Sequence, residues 1–132
     1  MTDAVDPEAM LARGRTALAE PEAKALLAAF GVAVPRRRVA ATPAALGVAA
    51  QALTPPFAVK QVSLAGAHKS DQGGVALGLP DAAAVEAAAR AMPAGDAGYL
   101  VEEMATAGVE IALGGFRHPR FGPVLMAGLG GV

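Results

Sequence analysis

Prolines that stand beside capping residues divide this chain into short elements, and they limit the possible fold more than any other feature of the sequence. Glu20-Pro21 begins a helix that runs to Phe30 before Gly31, and Thr42-Pro43 begins another that runs to about Leu53. Thr54-Pro55-Pro56 ends the second helix, because proline can continue neither a helix nor a strand ladder. The spacing therefore predicts short helices that alternate with strands.

The remaining elements follow the same alternation. Apolar runs predict strands at residues 38–41, 57–63, 75–79, 99–104, 109–116 and 123–127. Asp81 is predicted to cap a helix that runs to Met92, and Asp6-Pro7 to open one that runs to Leu18. This order indicates an α+β fold with a mixed or antiparallel sheet flanked by helices. The glycine-rich ending at residues 128–132 favours a chain that is incomplete at its C-terminus.

The helix that begins at Glu20 has an apolar stripe. The stripe consists of Ala23, Leu26, Leu27 and Phe30. Because these residues recur at helical spacing, the pattern predicts an amphipathic helix that packs through this stripe. The same pattern leaves Glu22 and Lys24 on the outer side.

The composition excludes several classes of protein. The formal net charge of −1 over 132 residues argues against a nucleic-acid binder, which normally has a basic excess. The absence of cysteine excludes disulfides and thiolate chemistry. No stretch approaches the roughly 20 apolar residues of a membrane span, and the first residues do not resemble a signal peptide. We therefore expect a cytoplasmic protein that contacts no membrane.

Residues 57–75 suggest the chemistry of the chain most directly. Lys60 stands in an apolar run that leads into a glycine-containing turn with His68, Lys69, Ser70 and Asp71. A strand lysine supplies one fixed positive charge, and glycines let backbone N–H groups approach an anion. This layout is typical of a nucleotide-phosphate site on a β-hairpin. A solvent-facing lysine on an edge strand and a plain hairpin turn remain as alternatives.

Five segments in the same order resemble the ATP-grasp part of the NDP-forming acyl-CoA synthetases, which are relatives of the succinyl-CoA synthetase β subunit. The segments lie at residues 22–35, 58–60, 68–75, 100–104 and 121–132. The resemblance implies a reversible reaction in which acyl-CoA, ADP and phosphate give the free acid, CoA and ATP. It also implies a phosphohistidine that is carried between subunits or domains.

The resemblance gives His68 a chemical role. In the ADP-forming acetyl-CoA synthetases, a histidine followed by Lys-Ser-Asp is a second phosphorylation site that relays phosphate to the nucleotide, and residues 68–71 match it. A neutral imidazole suits this role because one ring nitrogen is free and nucleophilic. Upstream, residues 63–67 read Ser-Leu-Ala-Gly-Ala, whereas the family usually has Ser-Pro-Asp before an apolar pair. The alternative is a loop histidine that makes only local hydrogen bonds.

The resemblance also implies two groups of nucleotide-binding residues. Those around the phosphates are Lys60, Gly66, His68, Lys69, Ser70, Gly73 and Gly74. Those around adenine and ribose are Val101, Glu102, Met104 and Glu110, where backbone groups of Val101 and Met104 lie beside adenine and carboxylates accept hydrogen bonds. The alternative for Glu102 and Glu110 is solvation on a sheet face. Glu103 is expected on the opposite face of its strand from Glu102.

The same resemblance suggests how the chain is organised. It predicts a helical extension at residues 1–19, a lid-type ATP-grasp subdomain with the phosphate loop at 20–98, and the truncated start of a second subdomain at 99–132. Mg²⁺ is expected with ATP or ADP, with its ligands outside this chain. A CoA-binding or phosphohistidine domain or subunit is the expected partner, in a homo- or hetero-oligomer. We expect the nucleotide-binding portion of an ADP-forming acid-CoA ligase that is inactive alone. The alternative is a non-catalytic fragment or a small adenine-nucleotide-binding module.

Overall fold

The structure, a computed structural model of the chain, describes residues 18–63, 73–93 and 96–130. Within these ranges it contains three helices, α1 (Glu20–Ala29), α2 (Pro43–Ala50) and α3 (Ala82–Ala91). The strands are β1 (Arg37–Ala40), β2 (Phe57–Gln61), β3 (Val75–Leu79), β4 (Tyr99–Glu103), β5 (Ile111–His118) and β6 (Gly122–Leu129). This confirms the predicted α+β class. The helix predicted from Asp6 lies almost entirely on residues 1–17, outside the described residues.

The helices begin where the capping residues predict. The side chain of Thr42 accepts a hydrogen bond from the backbone N–H of Ala45 at 3.3 Å, and that of Asp81 accepts one from Ala84 at 2.8 Å. The predicted end of α2 at Leu53 is wrong by three residues. The chain tightens there into i to i+3 hydrogen bonds, such as that from the Leu53 N–H to the Ala50 carbonyl at 3.0 Å. Among the described helices, none has both the length and the apolar character to cross a membrane.

Four strands form an antiparallel sheet in the order β1-β4-β2-β3. β4 lies between β1 and β2, and it brings Val101 into register with Arg38 of β1 and with Val59 of β2. β2 and β3 pair in antiparallel register, as expected for the two strands of the predicted hairpin. Because β2 has β4 on one side and β3 on the other, the interpretation of Lys60 as an edge-strand residue is wrong.

The main core lies on one face of this sheet, under α2 and α3. Fully buried side chains from both helices, including Leu46 and Val85, pack against Val59 and Val101 of the central strands. The two helices approach closely at Gly47, where a Cβ would lie 3.1 Å from the Cβ of Glu86. Since side chains alternate along a strand, this packing directs the neighbouring residues of β2 and β4 to the opposite face.

The opposite face carries a smaller apolar cluster and α1. Ala19, Val62 and Leu100 are buried together there. The predicted apolar packing of α1 is wrong, because none of its residues is fully buried and Leu27 and Phe30 are exposed. The helix instead contacts the sheet through charged side chains of its first turns, which form the site described below. It ends as predicted at Gly31, whose φ of +80° suits glycine.

β5 and β6 form a separate two-stranded sheet, in register from Ile111 with Leu129 to His118 with Gly122. These strands confirm the two predicted at residues 109–116 and 123–127, with shifted bounds. Ile111, Leu113, Leu125 and Leu129 alternate onto one face of the hairpin and are all exposed. The hairpin therefore presents an apolar surface.

Candidate functional site

Lys60 lies on the α1 face of the interior strand β2, where its ammonium group is held by two carboxylates. Its Nζ atom is 2.6 Å from Oε1 of Glu20 and 2.7 Å from Oε1 of Glu102. The side chain is about four-fifths shielded from solvent. An ammonium group shielded to this degree needs anionic partners, and these carboxylates supply them.

Lys24 completes a group of four residues that we call the charge cluster, which consists of Glu20, Lys24, Lys60 and Glu102. The Nζ atom of Lys24 is 2.9 Å from Oε1 of Glu20 and contacts Oε2 of Glu102. The expectation that Lys24 lies on the outer side of its helix is therefore wrong. The cluster joins one turn of α1 to the two central strands of the sheet.

The charges of the cluster affect the protonation of its members. Partial burial alone would raise the pKa of Glu20, but hydrogen bonds from Lys60 and Lys24, together with their charges, lower it from 4.5 to about 2. Burial alone would lower the pKa of Lys60. The hydrogen bonds to Glu102 and Glu20, with their charges, outweigh this effect and raise the pKa above 10.5. Both groups are therefore ionised at neutral pH.

The two neighbouring glutamates of β4 lie on opposite faces, as predicted. Glu102 is buried in the charge cluster, so its interpretation as a solvated residue is wrong. Glu103 lies near the surface, where Oε1 is 2.9 Å from Nη1 of Arg36 and 2.8 Å from the backbone N of Thr54. Glu110 is exposed and precedes β5 instead of lying on a strand as predicted. Across the described ranges, its side chain makes no hydrogen bond or ion pair with the cluster.

The backbone expected beside adenine is largely engaged within the protein. Val101 belongs to a strand with sheet neighbours on both sides. The N–H of Met104 donates to the Pro56 carbonyl at 3.0 Å. Met104 also lines an open pocket of about 270 Å³ with Ala33, Val34, Pro35, Glu103 and Ala105. This volume is just below the roughly 300 Å³ at which small-molecule sites begin.

Only part of the predicted phosphate loop is described. Gly73 has a φ of +72°, and the carbonyl of Gly74 accepts a hydrogen bond from the N–H of Gln61 at 2.9 Å. This hydrogen bond joins the end of the loop to the end of β2, one residue beyond Lys60. Gly66, His68, Lys69 and Ser70 lie outside the described residues.

In residues 18–63, 73–93 and 96–130, no three His, Asp or Glu side chains come together in a group that could hold a metal ion. In the charge cluster, the carboxylates are already matched by two ammonium groups. The carboxylate oxygens of the cluster are therefore engaged by lysine ammonium groups and are not arranged to hold a cation.

Of the four residues of the charge cluster, sequence reasoning singled out Lys60 and Glu102, both as nucleotide-binding residues, and missed Glu20 and Lys24. The available signal was the i,i+4 spacing of Glu20 and Lys24, which brings opposite charges together on one helix face. The apolar stripe of α1 masked this signal, because a stripe of that kind normally marks the buried side.

Comparisons with known proteins agree with this architecture. The ATP-grasp domain family matches residues 9–132. A trans-feruloyl-CoA synthase from an unknown prokaryotic organism is 40% identical over 124 aligned positions, and the match covers 86% of this chain and 17% of that protein. The subunit beta of acetate–CoA ligase (ADP-forming) I from Pyrococcus furiosus is 34% identical over 124 aligned positions, and the match covers 87% of this chain and 53% of that subunit.

A solved structure has the same fold. It is the dinucleotide-forming acetyl-coenzyme A synthetase 1 of Ca. Korarchaeum cryptofilum, in complex with coenzyme A, Ca-AMPCP and HgCl+. It superimposes with a TM-score of 0.84 at 33% sequence identity, and the match covers 94% of this chain and 59% of that one. The chain thus spans between about a sixth and three-fifths of these relatives.

Proposed function

The chain belongs to the ATP-grasp domain family, and from this premise we propose that it is the nucleotide-binding portion of an ADP-forming acyl-CoA synthetase. The observation that carries the proposal is the position of Lys60. Its charged ammonium group is fixed on an interior strand, one residue before the Gln61 contact that joins this strand to the glycines of the phosphate loop. The proposal is further supported by relatives that are themselves CoA ligases or synthetases.

A nucleotide phosphate is the ligand that suits this arrangement. The raised pKa keeps Lys60 cationic at neutral pH, and its interior strand fixes the position of the charge. We assign Lys60 to the phosphates of ATP or ADP, together with backbone groups of the loop that includes Gly66, Lys69, Ser70, Gly73 and Gly74. Such fixed cations and loop N–H groups are the usual parts of a phosphate site.

The adenine and ribose are assigned to the other side of β4. Met104 lines the open pocket there, and its position after the strand supports the assignment of this segment as the adenine hinge. The backbone of Val101 is assigned to the same region and Glu110 to the ribose, whereas Glu102 faces the charge cluster on the opposite side of β4 and is assigned to the phosphate side with Lys60. Residues 20–98 would then form the lid-type subdomain and residues 99–132 the start of the second.

The complete reaction needs groups beyond these. A ring nitrogen of neutral His68 would attack the phosphorus of a phosphohistidine on a partner domain, so that one P–N bond forms as the other breaks. An oxygen of the ADP β-phosphate would then take the phosphoryl group from His68 and give ATP. Mg²⁺ bound outside this chain would neutralise phosphate charge, and a CoA-binding domain or subunit would supply the acyl chemistry. We accordingly propose a cytoplasmic enzyme component without activity of its own.

Nucleotide titration tests the proposal. ATP binding to the chain, with and without Mg²⁺, can be followed by changes in backbone amide resonances, which detect even millimolar affinity. We expect Lys60→Met to weaken binding at least about tenfold, because a hydrogen bond to a charged group is lost. Arg90→Met removes an exposed cation on α3 and is the matched control, with unchanged affinity expected. Equal affinity of Lys60→Met and the unmodified chain would refute the assignment.

His68 is tested separately in the complete enzyme with its partner domain. Phosphate labelling of this chain is expected in the unmodified protein and should be absent in His68→Ala. Unchanged labelling after this substitution would exclude the relay role while leaving nucleotide binding intact.

A further inference from the structure

We propose that the position held by Oε1 of Glu20 is a subsite for a nucleotide phosphate oxygen, that Lys24 is its second cation beside Lys60, and that Glu20 is an internal anion displaced by the nucleotide. The inference rests on the proposed function, because it concerns the same site. It adds a phosphate-binding lysine from α1 and a competitor that is built into the chain.

The convergence of two ammonium groups on one oxygen carries the inference. The Nζ atoms of Lys60 and Lys24 lie 2.6 and 2.9 Å from the same atom, Oε1 of Glu20. A phosphate oxygen carries the same charge and accepts hydrogen bonds at similar distances, so it can take the place of this carboxylate oxygen. Glu102 contacts the two lysines differently, with Oε1 on Lys60 and Oε2 on Lys24. It thereby holds both ammonium groups in place for a shared ligand.

Glu20 is the exchangeable carboxylate of the two. Its side chain is 25% exposed, whereas that of Glu102 is 7% exposed. Glu20 is the first residue of α1, so its side chain can turn toward solvent without disturbing the sheet. Glu102 lies on β4 with strands on both sides, and its removal from the cluster would break the centre of the sheet.

The charge balance of the cluster favours the replacement of Glu20 by a phosphate only after the Glu20 carboxylate has left. With Glu20 in place, the cluster contains two cations and two anions and attracts an incoming phosphate only weakly. Once Glu20 withdraws, a net positive charge faces the phosphate. Because the pKa of Glu20 is about 2, the residue stays anionic at neutral pH and competes with the nucleotide throughout the physiological range. The nucleotide affinity of the unmodified chain is therefore lowered by its own first helical residue.

Two variants separate the roles of Glu20 and Lys24. Glu20→Gln removes the competing charge with little change of shape, and we expect it to bind ATP about tenfold more tightly than the unmodified chain. The double variant Glu20→Gln with Lys24→Met leaves the balanced pair of Lys60 and Glu102, which preserves the fold. We expect this double variant to bind ATP about tenfold more weakly than Glu20→Gln alone, because the second cation is gone.

The titration uses ATP and, separately, inorganic pyrophosphate, which lacks the adenosine part. Pyrophosphate should follow the same order of affinities, because the subsite recognises phosphate oxygens. Glu86→Gln removes a partly exposed carboxylate of α3 that pairs with Arg90, and it is the control, with unchanged affinity expected. Thermal unfolding of each variant, monitored by circular dichroism, confirms that the proteins compared are folded.

The outcomes distinguish this inference from the proposed function. If Glu20→Gln and the double variant bind ATP with the affinity of the unmodified chain while Lys60→Met binds weakly, the nucleotide site stands and the shared subsite is refuted. If the unmodified chain binds no ATP, or if Lys60→Met binds it equally well, the proposed function fails and this inference fails with it.

Discussion

Replacement of Glu102 by glutamine should destabilise the fold far more than the same change at its neighbour Glu103. Glu102 is buried and bridges Lys24 and Lys60, so its replacement leaves two largely shielded ammonium groups with Glu20 as their remaining anion in the part of the chain that the structure describes. Breaking a buried ion pair by removing one partner costs about 3–5 kcal/mol. We expect about 3 kcal/mol, at the lower end, because the glutamine oxygen can still accept a hydrogen bond from one lysine.

Glu103 supplies the matched control. Its partner Arg36 has a side chain that is 60% exposed, and exposed ion pairs contribute about 0.2–1 kcal/mol. The glutamine oxygen at this position can also still accept from the backbone N–H of Thr54. Urea denaturation followed by circular dichroism measures both variants. With a slope of about 2 kcal/mol per M, Glu102→Gln should lower the midpoint by roughly 1.5 M and Glu103→Gln by less than about 0.5 M. Equal shifts would refute the reasoning that burial of the bridge decides its contribution.

Three further predictions concern stability. The pKa of Glu20 is lowered from 4.5 to about 2 in the folded chain, so its ion pairs stabilise the fold above pH 4.5, and this contribution is lost as the pH falls from 4.5 to 2. The urea midpoints of the unmodified chain and of Glu20→Gln should therefore differ at pH 6 and converge near pH 2. Gly98→Ala should lower the free energy of unfolding by about 3 kcal/mol or more, because φ is +81° and the new Cβ would lie 2.5 Å from the Ala40 carbonyl oxygen. The control Gly122→Ala, with φ +71° and open space around the new Cβ, should lower it by about 1–2 kcal/mol. Equal shifts of the thermal unfolding midpoint in the two variants would contradict the clash at Gly98. Asp81→Ala should cost about 1 kcal/mol in the same assay by removing the cap of α3, and no measurable loss would contradict that role.

The elements of the fold were predictable because their signals are local. Thr42 and Asp81 cap helices through backbone N–H groups three residues away, and Gly31 ends α1 by its own conformation. The order of the strands was not predictable in the same way. β4 pairs with both β1 and β2, which precede it by a long stretch of chain, and no turn or cap in the sequence records that choice.

The candidate site was predicted in part for a related reason. Lys60 was recognisable because a charge within an apolar strand needs a partner. The identity of that partner depended on which face of α1 meets the sheet, and apolar periodicity favoured the side of Leu27 and Phe30. The ion pairs of Glu20 and Lys24 place the charged side against the sheet instead. Tertiary contacts of this kind can outweigh the apolar periodicity of a helix, because that periodicity carries no information about the partner surface.

The insertion of β4 between two earlier strands also determines when the charge cluster can exist during synthesis. Lys24 and Lys60 leave the ribosome well before Glu102, and until β4 follows, β1 and β2 lack the strand that lies between them. A nascent chain that ends before β4 thus contains both lysines without the carboxylate that bridges them. Assembly of the cluster therefore marks the completion of this sheet during translation.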